Sequence, residues 1–181
     1  MAKLVSKTYG EALFELAVEE GKEDVLLEEI LALKNILDEN PDFGKLMNHP
    51  KILKEEKLNV LEEVFKGRVS SELLGFLHMV VLKDRYGEIH EILDYFVDEV
   101  KKVKGIGVAY VTTPIELGES KKKEIEQKLL DTTKFKAMEM HYALQEDLIG
   151  GMVIRIGDRV VDSSVKTKLY ELQKELLKVQ V

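Results

Sequence analysis

The sequence contains no cysteine. A disulfide framework, a thiolate metal site and a cysteine nucleophile are therefore excluded. It also lacks any apolar run approaching the roughly 18 residues that a membrane-crossing helix needs. The opening residues, Met1-Ala2-Lys3-Leu4, enter helical periodicity at once and show neither the apolar core nor the small-residue cleavage site of a signal peptide. Phosphate-binding loops are missing too. Gly105-Ile106-Gly107 has no third glycine and stands before a strand, and no lysine follows a glycine loop. Of His49, His78, His90 and His141, only His90 has a potential metal-ligating side chain one helical turn away, Asp94, and no His-Glu-x-x-His is present. Basic residues do not cluster: the densest run, Lys121-Lys122-Lys123, is flanked by Glu119, Glu124 and Glu126. With a net charge of −7, the chain is a poor match for nucleic acid.

What is present supports a packed core and a wet surface: 181 residues, 45% hydrophobic and 34% charged. That length allows one domain or two small ones. Residues 1–104 hold 15 basic and 22 acidic side chains, whereas residues 105–181 hold 12 of each. The imbalance suggests two modules with different partners. Periodicity changes at the same place. Over the first part, apolar residues recur with the 3.6-residue period in six segments: 4–20, 25–39, a short piece from Pro41 to about Asn48, 51–65, 72–83 and 87–103. Asp24, Asn40 and Ser70 or Ser71 are the expected caps. Six helices with short connections predict a bundle.

From Gly105 the pattern alternates. Strands are expected at 106–112, 136–144, 152–156 and 159–161, with Gly157-Asp158 as a hairpin turn and helices at 118–132 and 164–178. The fold class is α+β, mostly helical: a six-helix bundle over 1–104, then a small α/β module over 105–181. Asp162 is expected to cap the last helix by accepting from the amides of Ser164 and Val165.

Two helices carry more apolar surface than one core stripe needs. Gly10, Phe14 and Val18 form a second stripe on the first helix, and Gly75, Met79 and Leu82 form one on the fifth. Each includes a glycine, over which another backbone can approach closely. A groove for a partner helix needs this pattern, yet neighbouring helices of the bundle could equally cover it. The last helix, with Val165, Leu169 and Leu172, is open in the same way.

The segment Tyr9-Gly10-Glu11-Ala12-Leu13-Phe14-Glu15-Leu16-Ala17 resembles the opening of the delta-subunit family of F-type ATP synthase, whose mitochondrial member is the oligomycin-sensitivity-conferring protein. Leu148-Ile149-Gly150-Gly151 through Gly157-Asp158 to Asp162-Ser163-Ser164-Val165 resembles the family's most specific motif, with Ser163 where the family has glycine. Val111-Thr112-Thr113-Pro114 is similar to a weaker one. The resemblance implies a non-catalytic stator link without cofactor or metal. Its N-terminal bundle would grip N-terminal helices of the alpha subunits through Gly10, Phe14, Val18, Gly75, Met79 and Leu82. Its C-terminal module would hold the C-terminal segment of the b subunit near Val165, Leu169 and Leu172. It implies no nucleic acid or direct nucleotide binding, and membrane association only through the complex, on the cytoplasmic side of a bacterial inner membrane. An unrelated two-domain adaptor is the alternative.

Overall fold

A computed structural model describes residues 2–179, with side chains for 4–177. Its backbone contacts divide into two compact units, one ending at Val100 and the next beginning at Lys101. The first unit is all helix: α1 (Ala2–Glu20), α2 (Glu23–Glu39), α3 (Pro41–Met47), α4 (Lys54–Phe65), α5 (Ser71–Leu82) and most of α6 (Ile89–Lys104). Each helix turns its periodic residues inward. Leu13 and Ala17 of α1, Leu26 and Ile30 of α2, Leu61 of α4, Leu73 and Val80 of α5, and Ile92, Leu93 and Phe96 of α6 are fully buried. Each leucine so buried contributes about 2 kcal/mol of transfer free energy. Phe43 of α3 meets Phe65 and Tyr86 edge-on, at 5.8 and 6.1 Å.

The helix starts differ from the sequence expectation in instructive ways. Lys22, not Asp24, stands before α2, so Asp24 lies in the first turn, where its charge suits the positive end of the helix. Pro41 opens α3 as expected, but the Asn40 amide group donates back to the Ile36 carbonyl at 2.8 Å instead of capping. Leu53 is extended, which delays α4 to Lys54. Ser70 does cap α5, its hydroxyl accepting from the Leu73 amide, and Glu29 of α2 accepts from both the Ser70 amide and hydroxyl. A 3₁₀ turn, Tyr86–Glu88, buries Tyr86 and delays α6 to Ile89.

The second unit has β1 (Ile106–Thr113), α7 (Glu119–Thr132), β2 (Ala137–Leu144), β3 (Val153–Ile156), β4 (Arg159–Asp162) and α8 (Val165–Val179). Helix α7 is the crossover that lets β1 and β2 run parallel. The other pairings are antiparallel, giving the order β2-β1-β3-β4. Along β1, Gly107, Ala109, Val111 and Thr113 are buried, and Met138 of β2 pairs beside Gly107 on that face. Its buried apolar set among the described residues is small: Ala109, Val111, Ile125, Met138 and Leu148.

Candidate functional site

Helices α1 and α5 lie side by side and leave a groove of about 610 Å³ between them. From α1 it is lined by Ala12, Glu15, Leu16 and Glu19. From α5 it is lined by Ser71, Glu72, Gly75, Phe76 and Met79. Lys22 donates to the Glu72 carboxylate at 2.7 Å, which ties the end of α1 to the start of α5 and shows that the two helices run antiparallel. That hydrogen bond holds the Glu72 carboxyl below its ordinary range and raises the Lys22 ammonium.

The two helix glycines have opposite surroundings. A Cβ on Gly10 would meet the Tyr95 ring at 2.5 Å, so this glycine exists to let α6 approach α1. Phe14 lies on the same side and meets Phe96 edge-on at 6.5 Å. Tyr95 donates to Glu11 at 3.1 Å, and burial pushes its phenol up to about 12. A Cβ on Gly75 would meet nothing within 4 Å. Gly10 and Phe14 are thus engaged within the bundle, while Gly75 and Met79 line the groove. Leu82 is exposed one turn beyond Met79, and Val18 is exposed outside the groove lining. From sequence, Ala12 and Leu16 belong to the core stripe of the first helix rather than to its second stripe, and the acidic rim is not singled out; the structure puts all of them on the groove. Their signal was the spacing 12, 15, 16, 19, one helical face sandwiched between charged residues.

The second surface is on α8. Val165, Leu169, Leu172 and Leu176 follow a four-three-four spacing and are 37 to 70% exposed, with Tyr170 and Leu177 beside them. Such a heptad seam suits another helix. A clasp sets the start of α8. Ser164 is its cap, the hydroxyl accepting from the Thr167 amide at 3.2 Å. Asp162 accepts from the Ser164 amide at 2.8 Å and the Thr167 hydroxyl at 2.7 Å, and these bonds hold its carboxyl below the usual range. The Val165 amide, expected on Asp162, donates to the Gly150 carbonyl at 2.9 Å. Gly151, at φ 75°, passes so close to the Ser163 carbonyl that a Cβ would sit 2.3 Å from it. The glycine pair and the Asp162–Val165 run are therefore two halves of one joint.

The outward sheet face carries a row that the sequence did not announce. The Tyr110 ring stacks on His141 at 4.9 Å, and the Arg155 guanidinium lies 4.7 Å from the Tyr110 centroid. His141 in turn bonds Glu139, which also pairs with Lys101 at 2.7 Å. No cluster of three potential metal ligands occurs among the described residues.

The family model described as ATP synthase delta (OSCP) subunit matches residues 5–176. The chain is 54% identical to the ATP synthase subunit delta of Lachnoclostridium phytofermentans over the full length of both. It is 32% identical to that of Alkaliphilus oremlandii, again over both whole chains. Among solved structures, a chain of the Toxoplasma gondii mitochondrial ATP synthase hexamer superposes with a TM-score of 0.75. That match covers 95% of this chain and 97% of the other at 21% identity, a likeness of fold.

Proposed function

The chain belongs to the ATP synthase delta (OSCP) subunit family, and on that premise we propose that it is the non-catalytic stator link of an F-type ATP synthase. Its place is the peripheral stalk. In this reading the α1–α5 groove holds an N-terminal helix of an alpha subunit, and the α8 seam holds the C-terminal segment of the b subunit. A link of this kind stops the catalytic head from turning with the rotor. It needs affinity under load rather than reacting groups. No helix among the described residues is long and apolar enough to cross a membrane. Attachment to the membrane, on the cytoplasmic side of a bacterial inner membrane, would then come through the complex.

Gly75 is the observation that carries the head-binding half. A glycine inside a helix costs about 1 kcal/mol relative to alanine, and here nothing in the chain's own packing requires it. A partner backbone pressed against α5 does. The proposed contact accordingly centres on Ala12, Leu16, Gly75 and Met79, with Leu82 extending it, while Gly10 and Phe14 stay with α6. For the stalk-binding half, Val165, Leu169 and Leu172 stand exposed along one seam.

The test is calorimetric titration of the full chain with a synthetic peptide of the cognate alpha-subunit N-terminus. Gly75→Leu fills the groove floor and should weaken binding at least tenfold while circular dichroism stays native. Unchanged affinity would exclude the groove as the binding site. Phe14→Asp is the wrong probe for this purpose, because it would bury a charge against Phe96 and damage the bundle itself.

A further inference from the structure

The groove is not uniform along its length. Its floor is apolar, made by Ala12, Leu16, Gly75 and Phe76. Its rim carries three carboxylates, Glu15 and Glu19 on α1 and Glu72 on α5. Because α1 and α5 run antiparallel, Glu19 and Glu72 fall at the same end, with Glu15 one turn in from it. The opposite end is closed by Ala12 and Met79, with Leu82 beyond, and is apolar. Glu72 has a cation of its own, the Lys22 ammonium at 2.7 Å. Among the described residues, neither Glu15 nor Glu19 has an ion-pair partner, and α1 ends with no basic residue in its last turn.

Two unneutralised carboxylates beside an apolar floor are a specific arrangement. An apolar helix laid in the groove would strip part of their water without replacing it, which is unfavourable. A helix bearing lysine or arginine at that end would restore the lost interactions and speed encounter through the local field. The geometry points to a partner that is an amphipathic helix with one basic end, and to Glu15 and Glu19 as the residues that decide which way round it lies. This rests on the groove being the head-binding site, as read above. It adds what that reading leaves open: the charge pattern of the partner and its direction along α1.

The consequence is measurable separately from occupancy. Rim charges act mainly on association rate and salt dependence, whereas the floor sets residence time. The probe is a synthetic peptide of the cognate alpha-subunit N-terminus, titrated into the full-length chain at about 50 mM and about 500 mM salt, a range over which exposed pairs lose most of their attraction. Wild type should bind roughly fivefold to tenfold more weakly at the higher salt. The double variant E15Q/E19Q, which keeps shape and helix propensity, should bind about fivefold more weakly at low salt and lose most of that salt dependence. A second peptide, with its lysines and arginines replaced by glutamine, should bind wild type and the double variant alike. Equal affinity of the native peptide for wild type and E15Q/E19Q at both salts would overturn the inference and leave the groove reading standing. Undiminished binding by Gly75→Leu would instead overturn the groove reading, and this inference with it.

Discussion

Ile149 holds φ 64° while 67% of its surface faces solvent. With ψ −40° and the Gly150 amide donating to the Leu148 carbonyl at 2.7 Å, it is the centre of a γ-turn of the positive-φ kind, a strained geometry that costs a β-branched residue about 1–3 kcal/mol. Ile149→Gly should therefore raise stability by about 1 kcal/mol in urea denaturation, and a lower midpoint would show that the side chain's contacts outweigh the strain. Two residues on, Gly151→Ala should do the reverse and severely destabilise the second unit, since the new Cβ would strike the Ser163 carbonyl. Loss of the α8 cap in Ser164→Ala should cost about 1 kcal/mol. Asp162 adds a pH signature. Its carboxyl is held below its unfolded value of 3.8 by the Ser164 amide first and the Thr167 hydroxyl next. Its contribution is thus present above that value and is lost as pH falls through the folded one. The gap in denaturation midpoint between wild type and Asp162→Asn should be full at neutral pH and close below about pH 4. Asp162 was legible in the sequence as a residue that fixes the start of the last helix, and the Ser164 amide does bond it, but the capping hydroxyl is that of Ser164. That Val165 would turn to Gly150 was not legible, because the partner comes from a distant loop brought back by the β3–β4 hairpin.

Helices were readable where one face is apolar and the partner is the core. The 3.6-residue period located all six in the bundle to within a few residues. It failed at boundaries set by tertiary contacts, such as Tyr86, whose burial turns the start of the last bundle helix into a 3₁₀ turn. It also failed to rank surplus faces. Gly10 and Gly75 look alike in the sequence, and only packing tells that Tyr95 fills the space over one and nothing fills the space over the other. The two should accordingly respond oppositely to the same change. Gly75→Ala should stabilise the chain by about 1 kcal/mol through helix propensity. Gly10→Ala should destabilise it by about 1–3 kcal/mol through overpacking against α6. Thermal denaturation of the pair is a direct check on the faces assigned to α1 and α5. The α8 seam was visible as a leucine repeat, but not its exposure, which depends on how few residues of the small sheet reach it.

At the scale of the whole molecule, the two units differ in charge and in the size of their cores. The excess of acid lies in residues 1–104, and residues 105–181 are neutral. The bundle has a large continuous core, whereas the second unit buries few apolar side chains among the described residues and leaves a leucine seam in water. A small core gives modest stability, so a bound helix on α8 should stabilise the second unit markedly through mass action. Order of elements and the motif halves were legible because they are local. The proposed docking surfaces were legible only as surplus apolar stripes, and one of those stripes, at Gly10 and Phe14, is covered by α6 of the same chain.

One chain, on this view, holds two different helices at two independent sites. The sharpest check is to titrate the full-length protein with two peptides, one from the N-terminus of the alpha subunit and one from the end of the b subunit, separately and together. Both should bind at once. Gly75→Leu should lose only the alpha peptide, and Leu169→Asp with Leu172→Asp should lose only the b peptide. Competition between the two peptides for one site, or loss of both from either substitution, would refute the two-site link.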